Sequence, residues 1–214
     1  MMFPVRMHTG IPAIYSVFRG GEVRAAEVTI DGTNISFVSE PVKVTYSADE
    51  LDDRMPVLIA DVKGLGRGNM DDRLLTNMRF PGSDVWFMTC IRDIEDVFDC
   101  FMGDTVNVLI PCHTVRNGLV MREAFEVSEY CIPVLFVSRG TAVCAGGQTK
   151  EINDAVNDLS GIGFKKIVIF DTDSSINTDG WSSLYGRFSG LVPFVRKRDD
   201  GIEDIGFREI ISDL

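Results

Sequence analysis

Positive charge is what this 214-residue sequence has least of: 21 Lys and Arg stand against 32 Asp and Glu, a formal net charge of −11, with 2 histidines. That balance argues against a nucleic-acid partner, because such binding is driven by phosphate neutralisation from a basic surface. It argues equally against an acidic patch on any partner. Long apolar runs are missing too: none approaches the roughly 18 residues that span a bilayer. The N-terminal MMFPVRMHTG has no charged region leading into an apolar one, so no membrane contact is expected and the cytoplasm is the expected compartment. The five cysteines (Cys90, Cys100, Cys112, Cys131, Cys144) are odd in number, irregularly spaced and without a CxxC pair. Neither a zinc ribbon nor a disulfide framework follows, and most read as buried thiols. No linker rich in Pro, Gly or Ser and no low-complexity tract interrupts the chain, so residues 1–214 read as one domain. A content of 45% apolar and 25% charged residues is that of a globular domain.

From about residue 55, β-branched runs alternate with segments of helical period, the pattern of βα units feeding a parallel sheet. The runs are VLIADV (57–62), DVWFMT (84–89), VNVLIP (106–111), PVLFVS (133–138), KIVIFD (166–171) and LVPFVR (191–196). Each is nearly continuous in Val, Ile, Leu and Phe, as strands covered on both faces are. Helices are predicted over NMDDRLLTNMRF, RDIEDVFDCFMG, GLVMREAFEVSEY, KEINDAVNDLSGIG and WSSLYGRFSG, with a last one over DGIEDIGFREIISDL. In the second, Ile94, Val97, Phe98 and Phe101 recur at three- and four-residue spacing as one apolar stripe.

The first 50 residues differ. Gly20-Gly21 and Asp31-Gly32 punctuate alternating segments, which predicts an antiparallel β meander over 11–45 inserted in the domain. FPVRM (3–7) before it is the candidate first barrel strand, and SADELDDR (47–54) a short helix completing its unit. The expected fold is therefore α/β, a TIM-type (β/α) barrel. With seven candidate strands it is either incomplete or closed by a meander strand. An open doubly wound sheet is the alternative, but its GxGxxG first turn is absent.

Three stretches, LIADVKGLGRGN (58–69), WFMTCIRDIEDVFDCFMGDTVNVLIPCHTVRN (86–117) and KKIVIFDTDSSINTDGWSSL (165–184), resemble the histidine-biosynthesis (HisA/HisF-like) ribulose-phosphate-binding barrels, particularly their shorter archaeal relatives. FVRKRDDGIEDI (194–205) echoes the second stretch, again with Ile-Glu-Asp at a helix start. The resemblance covers about 55–210 and implies a barrel that binds substrate phosphates at its strand ends. It also implies an Asp at the ends of strands one and five as general base and acid. Here RMHTG (6–10) and VSRGT (137–141) stand there without a carboxylate, and the phosphate-loop glycines are replaced by Thr89-Cys90 and Lys197-Arg198. The histidine-pathway isomerisation itself is therefore not expected.

In such a barrel chemistry sits where the strands end. Basic residues gather there on an otherwise acidic chain, which would draw in a phosphorylated small molecule. Arg196, Lys197 and Arg198, with Arg92, are the candidate phosphate ligands; the competing reading of the run is a solvated turn paired with Asp199 and Asp200. His8 and His113 are candidate acid/base groups. Asp61 and Lys63 alternate onto one face and could pair; Asp-x-Lys also opens the motif of the orotidine-phosphate decarboxylase superfamily, whose final Asp falls here on Gly66. Asp171 and Asp173 could serve proton transfer or hold Mg²⁺, or cap a helix. Cys112-His113 and Cys90 suggest a thiol or metal site, but neighbours on a strand face opposite ways. Neither metal nor other cofactor is expected.

Together with the resemblance, these strand-end residues imply an isomerase or lyase acting on a phosphorylated sugar or cofactor precursor. His8 or His113 would be the base, Asp171 the acid, and Lys63 or Arg139 the oxyanion stabiliser; Cys90, Thr114, Ser138, Asp61 and Asp173 would line the mouth. The alternative is a catalytically inactive barrel that binds a metabolite or a protein. A meander edge beside an incomplete barrel would pair across a two-fold, so a homodimer is expected.

Overall fold

The computed structural model describes residues 9–43, 56–78, 84–103, 105–196 and 200–213. The chain opens with β1 (Thr9–Arg19), followed by β2 (Glu22–Ala25), β3 (Val28–Asp31), β4 (Asn34–Phe37) and β5 (Val42–Lys43). Next come β6 (Val57–Asp61), α1 (Val62–Arg67), α2 (Asp72–Asn77), β7 (Val85–Met88), α3 (Ile94–Met102), β8 (Asn107–Pro111) and α4 (Gly118–Val127). β9 (Cys131–Ser138), β10 (Thr141–Val143) and β11 (Thr149–Glu151) lead to α5 (Ile152–Ile162), β12 (Ile167–Asp171), α6 (Thr178–Arg187) and β13 (Leu191–Val195), and α7 (Asp200–Glu203) precedes β14 (Glu209–Asp213).

Eight parallel strands close on themselves in the order β1-β6-β7-β8-β9-β12-β13-β14, with β14 returning to β1 through Thr9↔Glu209 to Ala13↔Asp213. This is the closed barrel of a TIM-type fold, and it corrects the seven-strand count and the open-sheet alternative. The missing strand is β14, which the sequence reading placed in a helix. Ile210 and Ile211, a pair of apolar residues between Glu209 and Ser212, fit either period. The barrel settles it, because Ile210 and Ile211 are both fully buried on opposite faces of one strand. Strand one also shifts: β1 spans Thr9–Arg19, taking the start of the expected meander into the barrel wall, while FPVRM and SADELDDR lie outside the described residues. The rest of the meander is partly present, as β2 pairing β1 and β5, and β3 pairing only β4. Two short elements went unread in the sequence, α1 and the β10–β11 hairpin.

Alternation sorts the strand residues into two apolar clusters. Ile11, Ala13, Leu58, Ala60, Met88, Val134, Phe136, Val168, Phe170 and Phe194 fill the barrel; Val57, Ile59, Phe87, Ile110, Leu135 and Ile169 face the helices. In α3 the buried stripe is Val97 and Cys100, and Phe98 is turned out at 50% exposure. Two strands overrun the rim and fold back antiparallel over a shorter neighbour. β1 does so with β2 above β14, and β9 with β10 above β8. No helix among the described residues is long and apolar enough to cross a membrane.

Candidate functional site at the barrel rim

The strand ends divide the predicted site residues into two groups by the face they occupy. Asp61 and Asp171 follow the barrel-filling Ala60 and Phe170, so alternation turns both outward. Each serves the turn that follows. Asp61 accepts from Gly64 N at 2.7 Å, Asp71 N at 2.9 Å and Thr89 Oγ1 at 2.8 Å. Asp171 accepts from Ser175 N and Ile176 N, both at 3.0 Å. Burial raises the carboxyl of each above its ordinary value, and the donated hydrogen bonds oppose that rise. Gly64 is required by this arrangement: a Cβ there would lie 2.0 Å from Asp61 Oδ2. Lys63 does not meet Asp61; its Nζ donates to Asp71 at 2.6 Å.

Other candidates are held in loop-to-loop contacts. Ser138 Oγ donates to Asp173 at 2.7 Å, and the Arg139 amide donates to Ser175 Oγ at 3.0 Å. Burial works to raise the Asp173 carboxyl, but hydrogen bonds from Ser138 and Ser175 outweigh it and hold the group low. Arg139 itself occupies the tight β9–β10 turn at φ +52°. Thr114 Oγ1 donates to the carbonyls of Ile91 and Pro111, tying the ends of strands three and four. The Arg92 amide donates to Asp96 Oδ2 at 2.7 Å, and the Arg92 Nε lies 3.5 Å from the same oxygen. Burial pushes the Cys90 thiol up to about 11, so it is protonated at neutral pH.

His113 reaches the mouth. Its ring meets Phe136 edge-on at 4.5 Å, and its buried Nδ1 has no hydrogen-bond partner among the described residues. Burial pulls its pKa down to about 4, so the imidazole is neutral. Beneath it Phe136, Phe170 and Phe194 form a layer from strands five to seven, with the last two stacked at 4.0 Å. All three are at most 2% exposed, and this part of the barrel is solid.

The convergent polar groups lie instead where strands one, seven and eight end. Tyr15 Oη donates to Asp213 Oδ1 at 2.7 Å. Arg196 Nε donates to Asp213 Oδ2 at 3.3 Å, and its Nη2 to the Val28 carbonyl at 3.1 Å. Burial, reinforced by the Asp213 charge, pushes the Tyr15 phenol well above its ordinary value and keeps it a donor. Tyr15, Arg196 and Asp213 line a cavity of about 500 Å³, walled further by Ala13, Glu27, Val28 and Val38.

Of the predicted residues, then, only Arg196 belongs to this trio. His8, Lys197 and Arg198 lie outside the described residues. Sequence reasoning missed Tyr15 and Asp213, although Ile11-x-Ala13-x-Tyr15 carries the inward alternation of a strand. No group of three or more His, Cys, Asp or Glu among the described residues is arranged to hold a metal. Fold and rim together define a closed (β/α) barrel with a polar cavity at its strand ends. No family model and no curated protein matches the chain.

Proposed function

We propose that the protein is a divergent HisA/HisF-like barrel enzyme that binds a phosphorylated small molecule at its rim and acts on it by proton transfer, as an isomerase or lyase. The observation that carries this reading is the convergence of Tyr15, Arg196 and Asp213 on one cavity of about 500 Å³. Arg196 presents a guanidinium for a phosphate oxygen. Asp213 is an acceptor beside it, suited to take a proton next to a carbonyl, and Tyr15 is the neutral donor suited to the oxygen where charge develops. Asp213 takes the base role first given to His8 or His113, and Tyr15 the donor roles first given to Asp171, Lys63 and Arg139, since Asp171 and Lys63 are committed to local contacts and Arg139 to a turn. The motif resemblance of residues 55–210 supports the substrate class.

A thermal-shift series with inorganic phosphate and with sugar mono- and bisphosphates tests the reading. A ligand bound by the native state alone stabilises it by about 2.7 kcal/mol at a hundredfold excess over Kd. Such a rise is expected in the wild type and is expected to be lost in Arg196→Gln. No rise with any phosphorylated compound would sink the proposal. The aromatic layer favours a second reading, a barrel that binds without catalysis. Deuterium uptake from D₂O into a bound sugar phosphate, abolished in Asp213→Asn, separates the two.

A further inference from the structure

Four strands round the sheet from the rim cavity, the helix layer encloses a second one of about 300 Å³ between α4, α5 and the β10–β11 hairpin. Two cysteines reach it by different routes. Cys112 follows β8, and its amide donates to the Val134 carbonyl at 2.9 Å, which sets it beside Leu135 of β9. β12 takes one edge of β9 through Val134 to Val137, so β10 must take the edge that β8 leaves free. Val143 pairs Phe136 there, so β10 runs toward the end of β8, and Cys144 is the first residue past Val143. The ends of β8 and β10 thus face each other along one edge of β9 with a cysteine just past each, both cysteines line the cavity together with Leu135, and Cys144 is near enough to act on the Cys112 thiol.

Both thiols are free. Cys112 is 3% exposed, and Cys144 is half-buried. Arg116, Lys150 and Asp158 also line the cavity, Lys150 in an ion pair with Asp158 and Arg116 3.5 Å from Asp93. Burial raises both thiols; the Cys144 neighbour raises Cys112 further, whereas at Cys144 Lys150 acts to lower the thiol and Asp158 to raise it.

We propose that Cys112 and Cys144 are a redox-active pair that closes to a disulfide when a small anionic disulfide enters this cavity. Cys144, the more exposed and the one beside a cation, gives its proton to solvent and attacks one sulfur of the small disulfide. One small thiolate leaves and a mixed disulfide remains. Cys112 then gives up its proton and attacks the Cys144 sulfur, releasing the second small thiolate. The protein loses two electrons and two protons, and the small disulfide becomes two thiols. The new bond ties the end of β8, whose next residue is His113, to the β9–β10 hairpin.

The folded full chain is incubated with oxidised glutathione and read by intact mass, thiol count and peptide mapping. The expected result is loss of two of the five thiols, a mass lower by two hydrogens, and one linked peptide joining Cys112 and Cys144, all reversed by dithiothreitol. Cys112→Ser and Cys112→Ala are expected to stop at one glutathione on Cys144, and Cys144→Ser to keep its four remaining thiols. Two variants at position 112 guard against misfolding of either, and the wild-type mapping stands without them. No thiol loss in the folded wild type, a link through Cys90, Cys100 or Cys131, or a lasting mixed disulfide in place of the link would overturn the proposal. Cystamine, a cationic disulfide, is expected to react more slowly; an equal rate would overturn the anionic preference.

Discussion

The first four barrel strands and the last four are built alike and filled differently. Each half opens with a strand that overruns the rim and folds back, β1 with β2 and β9 with β10, and each has an Asp capping the turn after its second strand, Asp61 or Asp171. The registers Ser16↔Asp61 and Val137↔Asp171 bring the halves into correspondence. Tyr15 then stands where Phe136 does, and Ala60 where Phe170 does. From Ala13↔Asp213, Pro111↔Val134, Phe194↔Ile211 and Met88↔Leu109, Asp213 corresponds to Pro111 and Arg196 to Cys90. The polar trio of one side is thus answered by a Phe, a Pro and a Cys on the other. One scaffold position can finish a core or build a site, and what decides is whether the neighbouring strand supplies a partner for the polar atom.

Five substitutions break or sharpen this comparison. Phe170→Ala, which gives the second half the small residue of the first, removes a fully buried ring stacked on Phe194. It is expected to cost about 3–5 kcal/mol by chemical denaturation. His113 marks the apolar side by pH. Its folded pKa of about 4 lies below the ordinary 6.5, so the unfolded chain binds more protons between those values. Stability is expected to fall by about 2–3 kcal/mol as pH drops from 6.5 to 4 on this account, and the wild-type slope to exceed that of His113→Asn by this amount. If the two slopes coincide, the imidazole is not buried neutral.

The two capping aspartates should differ by the number of donors they leave unpaired. Asp61→Ala strands three donors and is expected to cost about 2–3 kcal/mol, Asp171→Ala two donors and about 1–2 kcal/mol. Neither is expected to alter a phosphate-dependent melting shift; a lost shift in either would return that carboxylate to the site. Smallest is Tyr15→Phe, which makes the halves alike at that position. Loss of one hydrogen bond to Asp213 is expected to cost about 1 kcal/mol, leaving the Arg196–Asp213 contact in place.

Six of the eight barrel strands were legible because doubly covered strands read as unbroken apolar runs, and their bounds agree to within two residues. The two that were not, β1 and β14, are those that close the barrel against each other, and their evidence is the partner, absent from local sequence. The site followed the same rule. Arg196 was legible because LVPFVR announces a strand end, and Asp213 was not because EIISD has no local mark of strand. Asp61 and Asp171 sat at correctly placed strand ends but on the outer face. A shift of one residue along a strand exchanges mouth for helix layer, so Asp171, offered as an acid or a helix cap, and Asp61, offered as a mouth residue or a partner for Lys63, both cap turns.

The contact between Asp61 and Gly64 reaches beyond stability to the substitutions this chain can accept. A Cβ at position 64 would meet Asp61 Oδ2 at 2.0 Å and Thr89 Oγ1 at 3.0 Å, and Asp61 in turn holds Thr89 and the Asp71 amide. In a saturation library, position 64 should return glycine alone while Asp61 stands, and other residues only in clones where Asp61 has also changed. Residues from two strand ends are thus coupled in sequence drift, and Asp61 is the one that must change before position 64 can.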